Sequence, residues 1–252
     1  MKRILVTNDD GVRSAGIKAL ADALAPLGQV FVVAPSREAS AVGHALTLHH
    51  PLRLEHLSDS TYALDGTPTD CVNIAVAAVL RGLPDLVVSG INKGLNVGDD
   101  VTYSGTVSGA LEAALLGVPG IAVSLQQGAG EWDFHAAARV ARLVAEPVLA
   151  KGLPARTFLN VNVPRVDPKG IRLTVQGKRN HSTTVSERRD PRGRPYYWIG
   201  EGEDEWMPNG ESDHEAIRAG YVSLTPLQSD LTAHDAVGFV KGLGLEREAG
   251  LE

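Results

Sequence analysis

The stretch KRILVTNDDG, residues 2–11, sets the reading of the whole chain. Ile4, Leu5 and Val6 form a short apolar run, and Asn8-Asp9-Asp10-Gly11 ends it. A continuous apolar run closed by turn residues is the pattern of a buried strand in a parallel sheet. This strand delivers two adjacent carboxylates. Neighbouring like charges repel, and the cost grows as they leave water. Two readings of the pair stand side by side. One is a turn that opens a helix, with the carboxylates favoured by the helix N-terminus. The other is a hard divalent cation that both carboxylates share. Mg²⁺ is the default for such oxygen ligands, often with a phosphate as a further ligand, and Mn²⁺ accepts the same set.

Working outward, the strand pattern recurs. Residues 14–26, SAGIKALADALAP, carry Ile17, Leu20, Ala21 and Leu24 at helical spacing. QVFVVAP (29–35) reads as a second buried strand, and SREASAVGHA (36–45) as a long surface loop. ALTLHHPLRLEHL (45–57) alternates in part and fits a pair of strands. Thr67 is placed to cap the next helix, with Pro68 at its first position and Asp70 in the capping-box place. That helix runs through CVNIAVAAVLRG (71–82). DLVVS (85–89) is a strand, GINKGLNVGDDVTYSG (90–105) a glycine-dotted loop, TVSGALEAALLG (106–117) a helix and GIAVSL (120–125) a strand. Strands alternating with helices predict an α/β fold: a mostly parallel sheet with helices on both faces.

The second half is less regular. A helix (133–150) leads to the strand TFLNVNVP (157–164). The segment 177–209 is charged, bears Pro and Gly, and holds Trp198 and Trp206. It reads as an extended hairpin or arm with a partner surface, the other reading being a disordered loop. SDHEAIRAG (helix), YVSLTPL (strand) and HDAVGFVKGLG (helix) return to a packed pattern. The chain reads as one domain over 1–252. Residues 1–130 form the core that carries the site, and 131–252 the remainder of the core plus the arm.

Composition bounds the function. The chain has 252 residues, 43% hydrophobic and 21% charged, as expected of a soluble globular protein. A net charge of −6 argues against binding a nucleic-acid polymer. Cys71 is the only cysteine, so there is no internal disulfide or cysteine-based zinc cluster, which fits a reducing compartment. The apolar run near the start is too short for a signal peptide. No run approaches the roughly 18 residues of a membrane span. The expected location is cytoplasmic.

In an open parallel sheet, ligands bind at the carboxyl ends of the strands, where strand order reverses. NDDG, SREAS and GINKGLN follow three of the strands there. The glycine-dotted loop could cradle phosphate with backbone N–H groups, but it is neither GxxxxGK[ST] nor GxGxxG. Asn92 and Asn96 add amide groups. Ser104 and Thr106 add hydroxyls, and either can equally be a helix N-cap. His44, His49 and His50 read as surface or core residues and Cys71 as packing. Arg37 and Lys93 could meet a phosphate or be solvated.

Taken together, VTNDDG, APSREASAVGHALTL, LDGTPTDCV, PDLVVSGINKGLNVGDDVTYSGTVSGALEAALLGVPGIAVS and GYVSLTPL, in this order, resemble the SurE family of metal-dependent 5′/3′-nucleotidases. The resemblance covers essentially the whole chain and is densest over residues 4–124. It implies a Rossmann-like core, one divalent cation (Mg²⁺ or Mn²⁺), and removal of phosphate from nucleoside monophosphates. It carries metal ligands onto Asp9, Asp10, Ser40 and Asn92, and phosphate contacts onto Asn96, Ser104, Gly105 and Thr106. It implies a homodimer or homotetramer with exchanged C-terminal arms, which would account for 177–209. Asp9 and Asp10 are then also the catalytic carboxylates, with attack by water. Two other readings are a broad-specificity phosphatase or exopolyphosphatase, and a non-catalytic Mg²⁺-binding receiver-like module. The last expects an Asp after a later strand, where this chain has Ser89-Gly90.

Overall fold

A computed structural model of the chain describes residues 1–128, 130–180, 183–201 and 205–244. The first strand, β1 (Arg3–Thr7), lies inside a nine-stranded sheet, fourth from one edge. Ile4, Leu5 and Val6 are fully buried. Successive strand residues face opposite sides of a sheet, so Ile4 and Val6 enter one hydrophobic core and Leu5 enters another. That two-sided burial is why the run is continuous rather than alternating. Each such side chain contributes about 1.5–3 kcal/mol on burial.

From β1 the chain passes to β2 (Gln29–Pro35), which pairs with β1 in parallel. β3 (Leu54–Ser58) and β4 (Thr61–Leu64) extend this side, with β4 parallel to β2 and β3 antiparallel at the edge. The chain then returns to the other side of β1. There β5 (Leu86–Lys93), β6 (Gly120–Leu125) and β7 (Thr157–Val163) add in parallel. The strand order therefore reverses between β1 and β5. Beyond β7, β8 (Ile171–Leu173) and β13 (Val222–Gln228) complete a nine-stranded sheet, with β13 antiparallel to β7 and β8 parallel to β13.

Helices α1 (Ala15–Leu24) and α4 (His135–Lys151) pack with Ile4 and Val6 on one face. On the other face Cys71 and Val72 of α2 (Pro68–Ile74) and Ala113 of α3 (Gly105–Leu115) pack with Leu5. Helices on both faces of a mostly parallel sheet make the α/β architecture expected from the sequence. The capping box of Thr67 and Asp70 is formed. Helix α2 continues through one π-helical turn, Ala75–Val79.

Three local expectations change. In the segment 45–57 only its end is a strand, and the second strand is β4, beyond it. Thr47 gives both its backbone N–H and its hydroxyl to Asp70, at 2.9 and 2.7 Å. The cap of α2 thus draws this part of the chain away from any ladder. Strand β5 runs on to Lys93, absorbing the start of the glycine-dotted loop. Finally, α6 (Val237–Gly242) is helical but lies exposed instead of packed, with Phe239 and Val240 facing solvent. Helical periodicity shows an amphipathic face and does not say what covers it.

The arm is a hairpin, as expected. Strands β10 (Thr183–Arg189) and β11 (Pro195–Glu201) pair antiparallel around a turn at Asp190–Arg194. Below them β9 (Lys178–Asn180) pairs with β12 (Glu205–Met207). Asp213, at the start of α5 (Asp213–Arg218), fastens the arm base to the turn at Gly98 that follows β5. It is fully buried and accepts N–H groups from Gly98, Gly177 and His214 at 2.9, 2.9 and 2.8 Å. Burial raises its pKa, and the three N–H donors oppose that rise. Asp213→Ala leaves the Gly98 and Gly177 N–H groups without this acceptor. Urea unfolding is expected to show a loss of about 3 kcal/mol, since each orphaned buried donor costs about 1–3 kcal/mol.

Candidate active site

Thr7 at the end of β1 stands opposite Ser89 of β5. The residues that follow each strand therefore share one edge, at the switch in strand order. Gly11 turns the chain with φ +95°, a conformation other residues resist. Val12 then donates its N–H to Pro35 O at 2.8 Å, and Ala39 donates to Asp9 O at 2.8 Å. These two bonds bring the SREAS loop over the Asp-Asp turn. In β5 the register slips between Gly90 and Asn92. Such a bulge re-aims the side chains that follow it, and it precedes Asn92.

The three loops and the start of α3 enclose a cleft of about 680 Å³. Asp9, Ser40, Asn92, Asn96 and Ser104 line it. Asp9 is 5% exposed. Burial raises its pKa, the Thr106 hydroxyl opposes the rise, and the neighbouring charge of Asp10 adds to it. Asp10 is half-buried and lies outside the cleft lining. Its pKa is also raised by burial, against the pull of Lys93, whose backbone N–H it accepts at 3.3 Å. No cationic side chain among the described residues is hydrogen-bonded to Asp9.

Ser104 and Thr106 divide the work that the sequence left open between them. Ser104 is the N-cap of α3, accepting the Val107 N–H at 3.1 Å, and it also lines the cleft. Thr106 is fully buried and donates its hydroxyl to Asp9 Oδ1. Gly105 lets α3 approach, because a Cβ there would stand 2.8 Å from Asp9 Cβ. Ser40 donates its hydroxyl to Glu38 at 2.8 Å. Asn92 gives its amide N–H to Gly94 O at 3.0 Å.

Two features went unmarked in the sequence. Asn8 is buried and donates to Gly11 O at 3.1 Å and to the α1 cap, Ser14 Oγ, at 2.8 Å. It fixes the turn that presents Asp9. Asn96 is held by a polar lattice from the neighbouring strands. Its N–H bonds Asn162 Oδ1 and its amide bonds Ser124 Oγ, both at 2.8 Å. Asn160 and Asn162 both donate to its carbonyl, at 2.8 and 3.0 Å. The sequence signal was the pair of asparagines inside the otherwise apolar TFLNVNV.

The donor set suits a hard cation. Asp9, Asp10, Ser40 and Asn92 offer oxygen only. Among the described residues no cluster of three or more His, Cys, Asp or Glu side chains forms a metal site of another kind. Cys71 is fully buried and burial pushes its thiol well up, so it stays packing. His49 and His50 are exposed, as is Arg37, while Lys93 lines the cleft.

The family model described as Survival protein SurE matches residues 4–183. The chain belongs to the SurE family. A protein of Geotalea daltonii named 5′-nucleotidase SurE is 54% identical over 242 residues, covering 95% of this chain and 98% of its own. One of Syntrophotalea carbinolica, with the same name, is 55% identical over 230 residues, covering 91% and 92%. The crystal structure of the SurE protein from Aquifex aeolicus superposes with a TM-score of 0.85 at 45% identity, covering 96% of this chain and 99% of that one. The SurE family match covers the loops after β1, β2 and β5 and the start of α3.

A buried carboxylate on α3, Glu112, is held by side chains from two other segments. His44 Nε2 lies 2.7 Å from Glu112 Oε2, and Asn73 donates to Glu112 Oε1 at 2.7 Å. His44, helped by Asn73, lowers the Glu112 pKa against the effect of burial. A lowered carboxylate stabilises the fold above its ordinary value of 4.5 and loses that contribution as pH falls through the lowered one. The stability gap between wild type and Glu112→Gln is therefore expected to be full at neutral pH and to shrink in acid. Urea midpoints across that range check it.

Proposed function

We propose that the protein is a metal-dependent phosphomonoesterase that releases phosphate from nucleoside 5′-monophosphates, with 3′-monophosphates as further substrates. The observation that carries this is Asp9: a nearly dry carboxylate beside a second one, lining the cleft at the sheet's switch point. The names of the Geotalea and Syntrophotalea relatives, both 5′-nucleotidase SurE, support the substrate class.

Asp9, Asp10, Ser40 and Asn92 would hold one divalent cation, Mg²⁺ or Mn²⁺. When bound, the cation neutralises charge on the phosphate dianion and supplies a water acidic enough to attack at neutral pH. The protein's own groups do the rest. Thr106 fixes Asp9 through its hydroxyl and backbone N–H. Ser104 accepts the Val107 N–H, so its own proton can go to a phosphate oxygen. Asn96, held by Asn162 and Ser124, and the Gly105 N–H at the start of α3 face developing negative charge, which a helix N-terminus favours. The attacking water gives its proton to one of the two carboxylates and its oxygen bonds to phosphorus. The bond from phosphorus to the ribose oxygen then breaks, that oxygen takes up the proton the carboxylate received, and it leaves as an alcohol with the carboxylate restored.

Two wider expectations belong here. Exposed Tyr197, Trp198 and Ile199 on the hairpin support assembly into a homodimer or homotetramer through the arm. A single buried cysteine supports a reducing, cytoplasmic setting. Among the described residues no helix is long and apolar enough to cross a membrane.

Asp9→Asn and Asp10→Asn should each cut AMP hydrolysis at least about 100-fold, the order expected when a transition-state charge partner is removed. Thermal unfolding should remain cooperative. EDTA should stop turnover in the wild type and Mg²⁺ or Mn²⁺ restore it. Turnover that ignores EDTA is the result that removes the metal from this account.

A further inference from the structure

We infer that Tyr103 is the platform on which the nucleoside half of the substrate stacks, so that the cleft accepts a base by its face and not by its edge. The inference rests on the phosphomonoesterase reading above and extends it to the leaving group.

Tyr103 follows the 3₁₀ turn Gly98–Thr102 and precedes Ser104, the cap of α3. Its backbone is tied on both sides. Its N–H donates to Asp100 O at 3.1 Å, and its carbonyl accepts the Gly43 N–H at 3.0 Å. The ring on this fixed backbone is 61% exposed and lines the same cleft as Asp9, Asn92 and Ser104. A large ring left open beside a buried carboxylate contributes little to packing. Its cost is repaid when a flat apolar group covers it. A nucleobase is such a group, and every base has a face.

The rest of the lining points the same way. Ile199, on β11 of the hairpin, is 79% exposed and also borders the cleft, with Gly200 beside it. Leu95 adds another apolar side chain. The charged lining residues Asp100 and Arg179 are bonded to each other, and the Arg179 guanidinium lies 5.2 Å over the Trp206 ring. Tyr103, Leu95 and Ile199 offer apolar surface to a base, while of the nearby charges Arg179 is bonded to Asp100 and Lys93 acts on Asp10. Purine and pyrimidine nucleotides should therefore both be accepted. The hairpin becomes part of the substrate site as well as an assembly element.

The test uses the full chain with Mg²⁺ and compares AMP, CMP and glycerol phosphate across wild type, Tyr103→Ala and Tyr103→Phe. Tyr103→Ala should raise KM for AMP and CMP about tenfold, the order of one lost base–aromatic stack, with kcat changed by less than about twofold. The preference for a nucleotide over glycerol phosphate should fall by the same factor, and Tyr103→Phe should restore it. Unchanged nucleotide KM values overturn the inference. So does an equal loss of kcat/KM on all three esters, which would place Tyr103 at the phosphate end or in the fold. A second readout needs neither metal nor turnover: calorimetric binding of adenosine and cytidine in EDTA. Tyr103→Ala should weaken both about tenfold and Ile199→Ser should weaken both as well. Equal binding by wild type and Tyr103→Ala, or none by either, overturns the inference. A wild type that binds adenosine through Tyr103 but releases no phosphate from any nucleotide removes the phosphomonoesterase reading and leaves this one standing.

Discussion

The constraint on which the structure turns is the cost of holding Asp9 almost dry beside Asp10. Burial disfavours the ionised carboxylate, and the neighbouring charge disfavours it further. Much of the surrounding chain opposes that cost or fixes its geometry. Thr106 gives Asp9 a hydroxyl. Asn8 ties the turn to the cap of α1. The Ala39 N–H takes up the Asp9 carbonyl and so anchors the SREAS loop. Even the approach of α3 depends on a residue without a Cβ at 105. An arrangement that works this hard to keep a carboxylate in a poorly solvated place is more costly than a simple turn requires. A cation shared by both carboxylates would oppose that repulsion.

How much of this could be read beforehand depended on where the controlling contacts lie in sequence. Strands β1 and β2 were legible because both their faces are buried, so their apolar runs needed no partner to be recognised. The capping box at Thr67 was legible because it is completed within four residues. Residues 45–53 were misread because the contact that decides them, Thr47 to Asp70, spans 23 positions. The convergence of NDDG, SREAS and GINKG was foreseeable only as a condition on strand order, and the switch between β1 and β5 meets it. The separate roles of Ser104 and Thr106 were not legible at all. Two hydroxyls two residues apart look alike in sequence, and only the helix direction sends one to Asp9 and leaves the other at the cap.

The lattice around Asn96 shows a related limit. Asn160 and Asn162 interrupt an apolar strand, and a buried polar residue there demands a partner. The partner is the loop after β5, which lies alongside because β6 separates β5 from β7 in the sheet. The polar positions of β7 are thus the far side of the site. They hold Asn96 by four hydrogen bonds, as the turn and Thr106 hold Asp9, so both walls of the cleft are tied to the sheet. A site that holds its donors in place loses little order on binding and can direct them at charge that develops in the reaction.

The hairpin then has to be weighed against this half of the cleft. Its base is secured by Asp213 and by the contact between Arg179 and Asp100. Arg179 and Asp100 both border the cleft, so the same ion pair that anchors the arm also shapes the wall beside Tyr103. Movement of the arm would therefore alter the side of the cleft that meets the leaving group and spare the side that meets the phosphate. Oligomerisation through the exposed aromatics of the hairpin would act on that same wall. A change in assembly should then register first in how tightly different nucleosides are held, and much less in the chemistry at phosphorus, because the carboxylates, Asn96 and the cap of α3 are all fixed from within the sheet.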